Sequence, residues 1–227
     1  MSVLRDALVL AEKDLRLELR TKEILLTMGY FGFLCVLVLA FAFRRGEQPP
    51  SSIAAGCLWV AIAFAGTLGL GRAFEREREG DVVRALLLTP VSRPAIYLGK
   101  AIGILSFMLV VELLLVPAAV LFFTLPVDLP RLAALAGLAA LGTLGYAIVG
   151  TLLAASLMRA RGRDVLLVVV LFPVIIPVII AGAIGTAALF DPVPGWAEVA
   201  TWAKLLGAYD LVFLVASLWI FEALVLD

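Results

Sequence analysis

The residue with the clearest chemical potential is Glu112, midway along the apolar stretch 101–125. We expect it to be the only ionisable residue deep in a bilayer. A charge there is costly, so such residues usually face a partner, face an aqueous cavity or are protonated. Glu112 is therefore a candidate for a transport path, although a neutral, hydrogen-bonded glutamic acid between helices explains the sequence equally well. Asp210 and Glu222 lie near the ends of another stretch, where snorkelling to the interface is expected.

Two prolines, Pro173 and Pro177, interrupt the apolar sequence VLFPVIIPVII. Because they are four residues apart they share one face of a helix, and each lacks the N–H that would bond a carbonyl one turn earlier. The carbonyls of Val169 and Pro173 then lose their usual donors, which a membrane tolerates where neighbouring helices, local rearrangement or water replace them. The pair predicts a hinge or a polar notch in a transport path. A static kink is the alternative.

The other residue types argue against catalysis by this chain. It has no histidine, which excludes imidazole ligation of zinc or haem and catalysis by a histidine base. Its two cysteines, Cys35 and Cys57, fall inside apolar stretches. Gly99–Lys100 is followed by alanine and no P-loop is present, so ATP hydrolysis needs a partner. We expect no enzyme activity, no metal site and no bound cofactor here.

Six long apolar stretches must hold these residues, and they predict an all-α, polytopic membrane protein. About 20 helical residues cross the hydrocarbon core of a bilayer. At 227 residues and 63% hydrophobic, the chain forms one membrane domain, 1–227, with no room for a globular domain beside it. The predicted spans are 24–43, 53–71, 101–125, 132–158, 165–190 and 205–226.

The basic residues between the spans predict the orientation. Of the 18 Lys and Arg residues, fourteen fall in the alternate intervals that would share one side of the membrane. Cytoplasmic segments of membrane proteins are enriched in these residues. The chain is therefore expected to cross the bacterial inner membrane six times, with both termini in the cytoplasm. The net charge of zero gives no case for nucleic-acid binding.

Amphipathic segments are expected at both membrane surfaces. Residues 1–23 predict a cytoplasmic interfacial helix with its apolar face in lipid; a solvated extension of the first span is the alternative. The apolar residues at helical spacing in this segment are Leu4, Leu8, Ala11 and Leu15. At the outer surface, Trp196 and Trp202 predict a short helix anchored by two indoles before the last span.

Small residues are frequent in the fourth span, which contains Gly137, Gly142, Gly145 and Gly150. Small side chains let helices approach closely in lipid, so close packing is the simplest interpretation. A translocation path along this helix is the alternative.

The longest polar stretch, 72–100, is the candidate docking element. It begins with a mixed-charge run, continues with an apolar patch, and contains Thr89–Pro90 and Arg93–Pro94, which stop the helix. An exposed helix with an apolar ridge between charged flanks suits a groove on a cytosolic partner. A solvated loop on the lipid headgroups is the alternative. The other cytoplasmic loop, 159–164, carries Arg159, Arg161 and Arg163.

These segments resemble the haem exporter protein B family, the permease subunits of the cytochrome c maturation ABC transporter. The similarity runs from the sequence LRLELR to the end of the fifth span. The short basic loop leading into a span with two prolines is its more selective part, whereas the pattern of 72–100 is shared with many ABC-2 type permeases. The matching segments are Leu15–Arg20, Trp59–Ala61, Phe74–Glu75, Gly80, Leu86–Pro90, Lys100, Gly142–Gly145 and Arg161–Pro177.

The resemblance implies an ABC-2 type permease-like fold and a set of partners. These are a cytosolic ATPase subunit that hydrolyses ATP, a haem-handling membrane subunit, an extracytoplasmic haem chaperone and a second copy of the permease. Residues 72–90 would couple the ATPase to the spans, with haem as cargo. The coupling residues would be Phe74, Glu75, Gly80, Leu86, Leu87, Leu88 and Pro90; the hinge or path residues would be Pro173, Pro177 and Glu112.

Three functional hypotheses follow. The first is this permease, which either exports haem or uses ATP to release a haem-loaded chaperone without moving haem through this chain. If haem does bind, an axial ligand would have to come from residues such as Met28, Tyr30 or Cys35. The second is an ABC-2 type permease for a lipid, drug or polysaccharide. The third is a membrane scaffold that transports nothing.

Overall fold

The computed structural model describes residues 3–43, 50–79, 91–158 and 160–224, and all elements in these ranges are helices. Six of them are long and apolar enough to cross a membrane, which confirms the all-α, polytopic class. The helices are α1 (Val3–Thr21), α2 (Glu23–Ala42), α3 (Pro50–Glu79), α4 (Arg93–Phe123), α5 (Leu129–Ser156), α6 (Arg163–Phe190) and α7 (Trp196–Leu224).

The breaks between helices have local causes. Lys22 separates α1 from α2 in the left-handed conformation, with φ of 57°. Gly162 precedes the first residue of α6 and is also left-handed, with φ of 68°. Glycine adopts this conformation without steric cost. The Asp128 side chain caps α5 by accepting a hydrogen bond from the backbone N–H of Arg131 at 2.8 Å.

The bundle is built around α3 and α4. α3 packs against α2, α4, α5 and α6, while α4 packs against α1, α2, α3, α5 and α7. We call the end that contains α1, the last turns of α3 and α5 and the first turns of α4 and α6 the basic end. The other end holds a hydrogen bond of 3.0 Å between the hydroxyl of Ser51 and the carboxylate of Asp191, which ties the start of α3 to the end of α6.

Close helix packing at the glycines of α5 is confirmed. A Cβ at Gly150 would overlap the side chain of Leu70, one at Gly142 would overlap Trp59, and one at Gly145 would overlap Asp210. At Gly137 a Cβ would meet no atom within 4 Å. Three of the four glycines therefore lie where another helix comes closest, as expected where packing holds helices together in lipid.

The expectation for the interfacial helix needs one correction. Leu4 and Leu8 are exposed, as predicted, but Ala11 belongs to a buried face that α1 turns toward α4. The Ala7 carbonyl and the Leu10 side chain lie against Gly99, which has no side chain to keep α1 away. α1 is thus packed on the bundle and does not leave its whole apolar stripe to lipid.

The short helix predicted at Trp196 and Trp202 is wrong as a separate element. These residues belong to one continuous helix of 29 residues, α7, which begins at Trp196. Between the amphipathic first turns of α7 and its apolar remainder there is no proline and no pair of glycines to end the helix, so the helix is continuous. The last span therefore begins before residue 205, and Asp210 lies near the middle of the helix.

Candidate functional site

The basic end brings together two of the predicted groups of residues. The Arg163 guanidinium donates a hydrogen bond from Nη1 to the backbone carbonyl of Phe74 at 3.3 Å. Phe74 is 4% exposed and Arg163 9% exposed. The coupling segment at the end of α3 is therefore bound directly to the basic loop at the start of α6. We call this contact the α3–α6 clamp.

The neighbouring charged side chains lie closer to solvent. Glu75 forms an ion pair with Arg72 at 3.5 Å, one turn apart on α3, and both side chains are about half exposed. An exposed pair of this kind contributes little to stability. Arg161 is exposed as well. These side chains form the accessible rim around the buried α3–α6 clamp.

α1 is held at the same end by a partly buried ion pair. The Lys100 ammonium lies 2.6 Å from the Asp14 carboxylate, and only 10% and 17% of these side chains are exposed. Lys13, Asp14 and Lys100 also line a cavity of about 90 Å³, whose other walls include Phe74 and Ile24. The interfacial helix, α4 and the end of α3 thus meet around one small cavity.

Several of the predicted site residues lie outside the described residues, namely Gly80, Leu86, Leu87, Leu88, Pro90 and Arg159. The helix that leads to most of them is described. α3 has 30 residues, about 45 Å at ~1.5 Å per residue, whereas the hydrocarbon core is about 30 Å thick. One crossing therefore leaves part of α3 beyond the core.

Glu112 lies inside the bundle, 5% exposed, and accepts a hydrogen bond from the Thr143 hydroxyl. This contact joins α4 to α5 at mid-bundle. Of the two interpretations of Glu112, the hydrogen-bonded acid between helices matches this geometry. Thr143 was not singled out from the sequence, because a lone threonine in an apolar span gives no signal until its partner is known.

The two prolines lie elsewhere in the bundle. Both are on the exposed face of α6, and α6 continues through them from Arg163 to Phe190. α3 and α5 each pack against both α4 and α6, so they stand between Glu112 and the prolines. The proline segment does contact α7: the Tyr209 hydroxyl donates a hydrogen bond of 2.9 Å to the Val174 carbonyl. Glu112 and the prolines are thus two separate features.

Trp59 is the most important residue that the sequence did not single out on chemical grounds. Its indole N–H donates to the Thr186 hydroxyl at 3.0 Å. Its ring lies against Gly142 of α5 and Gly182 of α6, so closely that a Cβ at either glycine would overlap it. Trp59 therefore joins α3, α5 and α6 at one level. In the sequence, only the absence of a side chain at Gly142 and Gly182 indicates that a large ring could pack there.

Asp210 corrects another expectation. It does not snorkel to an interface but is 5% exposed, with its carboxylate against Gly145 of α5. The predicted span begins at residue 205, whereas α7 begins at Trp196, so Asp210 lies near the centre of the helix and not near its end.

A comparison with known protein families gives one match that covers almost the whole chain. The family is described as CcmB protein, and the match includes residues 5–225. It therefore takes in the last span, to which the resemblance in the sequence did not extend. A comparison with curated proteins found no match.

Proposed function

The chain belongs to the CcmB protein family, and we propose that it couples ATP hydrolysis by a partner subunit to haem export or to the release of a haem-loaded chaperone. Membership makes it a component of the cytochrome c maturation ABC transporter and a multi-pass membrane protein. It is a transporter membrane subunit and not a catalytic enzyme by itself. The finer role, as the permease that transmits ATP-driven movement, is the proposal.

The observation that carries this proposal is the α3–α6 clamp. α3 contains the first residues of the charged segment at 76–90, since it ends at Glu79, and α6 carries the proline pair. Because the Arg163 side chain bonds to the Phe74 carbonyl, a displacement of the charged segment acts on both helices together. Trp59 and Thr186 connect the same two helices farther along the bundle. Closure of an ATPase pair would then move α3 together with the parts of α6 on both sides of the proline pair, with the prolines as the flexible point between them.

The proposed orientation places the basic end in the cytoplasm of a bacterium, with the spans in its inner membrane. The positive-inside pattern supports this, since the N-terminal segment and the intervals at 72–100 and 159–164 carry most of the Lys and Arg. A cytosolic ATPase subunit would bind the accessible rim and the segment at 80–90. A haem-handling membrane subunit and an extracytoplasmic haem chaperone complete the proposed assembly.

The proposed homodimer would use the face of α6 that carries the prolines. Prolines free backbone carbonyls, and carbonyls at membrane depth need donors that lipid does not supply. The same side of the bundle carries a row of aromatic rings: Phe64 lies 6.3 Å from Phe31 and 5.7 Å from Phe172, measured between ring centroids. A second copy covering this face would bury the rings and exclude lipid from the freed carbonyls.

Two of the three residues suggested as axial ligands, Met28 and Tyr30, lie in different surroundings. Met28 is 1% exposed, and its sulfur fills the space beside Gly69. Tyr30 points outward and is 69% exposed. With one packed in the core and the other at the surface, they do not face a common haem site.

Breaking the α3–α6 clamp tests the coupling role. In Arg163→Ala the Phe74 carbonyl loses its charged donor, and we expect the yield of mature c-type cytochrome per folded transporter to fall about tenfold, because a hydrogen bond to a charged group contributes ~1.5–3 kcal/mol. The matched control is Arg16→Ala, at the same end of the bundle but exposed and paired only with Glu12 one turn away on α1, which should retain most of the yield. The proposal also requires the ATPase subunit to co-purify with the wild-type chain. Equal yields from the two variants would contradict the clamp's role, and failure of any ATPase to co-purify would contradict the proposed function.

The proline pair provides a second test. We expect Pro173→Ala combined with Pro177→Ala to restore the helix hydrogen bonds and stiffen α6, which lowers transport-coupled activity several-fold while the protein still inserts and folds. Activity is measured as mature c-type cytochrome per folded permease in membranes. Unchanged activity would reduce the prolines to a static kink.

A further inference from the structure

Among the described residues, buried side-chain atoms without a hydrogen-bond partner belong to Thr151, Asp210, Ser217 and Arg131. Arg131 lies at the start of α5, beside Asp128. Asp210 and Ser217 lie on α7, against Gly145 of α5 and Tyr97 of α4, and Thr151 lies on α5, six residues from Gly145. Buried polar atoms in native proteins are nearly always paired, with protein or with ordered water. A concentration of orphaned atoms at one place in a membrane bundle therefore requires an explanation.

The only carboxylate among these residues belongs to Asp210, and both of its oxygens lack a partner. The carboxylate lies against the backbone of α5, since Gly145 has no side chain. The titratable groups in this part of the bundle give no counter-charge: Tyr209 bonds to Val174, Tyr146 bonds to Thr67 and Ala63, and Glu112 bonds to Thr143 on α5. Lys204, six residues earlier on α7, is exposed. On α6, which also packs on α7, the only ionisable residues are Arg163 and Asp164 at its first turn.

The remaining orphaned atoms continue from Asp210 toward the basic end. Ser217 is seven residues along α7, two turns away on the same face and about 10 Å at ~1.5 Å per residue. Its hydroxyl is close enough to the Tyr97 hydroxyl to interact with it, but the geometry forms no hydrogen bond between them, since the Tyr97 hydroxyl donates to the Ile148 carbonyl at 2.9 Å. Thr151 is one turn from Ile148 on α5. We call Asp210, Ser217, Tyr97 and Thr151 the polar seam.

We propose that the polar seam is hydrated and that Asp210 is a proton-binding site, reached by water from the basic end. Waters in the seam would bond to the hydroxyls of Ser217 and Thr151 and to the Asp210 carboxyl, as buried waters do at otherwise unpaired polar groups. With no cation facing it, the carboxyl is least costly in a membrane when it holds a proton. Water in the polar seam next to the Asp210 carboxyl would give that proton a route to and from the basic end. The inference does not depend on the cargo or on the ATPase.

Hydration is tested by thiol chemistry, because methanethiosulfonate reagents react with thiols that water reaches. The background carries Cys35→Ala and Cys57→Ala, and the reporter is Ser217→Cys in the full-length protein in membranes. The control is Ala61→Cys, equally buried but on α3, a helix that packs against α2, α4, α5 and α6 and carries no orphaned polar atom among its described side chains. We expect the reporter to react at least ten times faster than the control. Equal, slow reaction of both would overturn the hydrated seam.

The proton site is tested by dicyclohexylcarbodiimide, an apolar reagent that adds to protonated carboxyl groups inside membranes. We expect mass spectrometry to find the adduct on the peptide containing Asp210, lost in Asp210→Asn and retained in Glu112→Gln. Both variants are first checked for a monodisperse elution profile. An adduct on Glu112 alone, or none on Asp210, would overturn the assignment. Protection by sodium ions would identify a metal cation as the ligand and overturn it as well.

Discussion

Gly142→Val is expected to prevent most of the folded protein from accumulating. The six-membered part of the Trp59 indole occupies the space of the missing side chain, and the indole cannot withdraw without losing its hydrogen bond to Thr186. Extra methyl groups in a packed core cost ~1–3 kcal/mol where neighbours can yield, and here the neighbour is a rigid ring held between two helices. The measurement is the amount and thermal stability of monodisperse protein after extraction in a mild detergent.

The matched control is Gly137→Val, on the same helix. A Cβ there meets nothing within 4 Å. Both glycine variants therefore change helix propensity in the same way, but only Gly142→Val places a side chain against Trp59. Gly137→Val should behave like wild type. If Trp59 is the cause, Trp59→Ala added to Gly142→Val should recover part of the lost protein. Equal behaviour of the two glycine variants would contradict the packing described for Trp59.

Glu112→Lys is expected to have the second large effect, a loss of folded protein together with loss of function. Lysine has no acceptor for the Thr143 hydroxyl, and it places a charge of opposite sign in a site that is 5% exposed. A lysine at the centre of a membrane helix costs ~2.5–3.5 kcal/mol on insertion scales. Glu112→Gln retains an oxygen that accepts from Thr143, so it should assemble normally. Both variants are compared by yield of folded protein and by maturation of c-type cytochromes.

Thr143→Val separates a packing role for Glu112 from a role in transport. If Glu112 serves only to join α4 and α5, Thr143→Val should lower stability, while Glu112→Gln keeps full activity per folded molecule. If Glu112 lies in a transport path, Glu112→Gln should lose activity at normal stability. Full activity of Glu112→Lys would exclude both roles.

The number of spans could be predicted from the sequence because apolar length is a local property that requires no knowledge of contacts. The stretch at 165–190 lies within α6, and the stretch at 101–125 runs only two residues past the end of α4 at Phe123. The close packing at Gly142 and Gly145 was predictable for the same reason, since small residues in lipid indicate where helices approach. The start of the last span could not be predicted in this way, because the amphipathic turns after Trp196 are less apolar than the rest of α7.

The α3–α6 clamp shows why the site itself was harder to predict. Phe74 and Arg163 are 89 positions apart in the chain, and each was singled out for a different reason. Nothing in the local pattern indicates that the Arg163 side chain folds back onto α3 while Arg161 stays in solvent. Likewise, periodicity predicted that Pro173 and Pro177 share a face, but only the packing of α6 shows that this face is the exposed one.

The central claim, that this chain is a permease subunit required for cytochrome c maturation, is tested most directly by deleting its gene and staining membranes for covalently bound haem. We expect c-type cytochromes to disappear from the deletion strain and to return with the wild-type gene on a plasmid, but to reach only about a tenth of that level with Arg163→Ala at equal membrane abundance. Normal haem staining in the deletion strain, with no second copy of the gene present, would contradict the account.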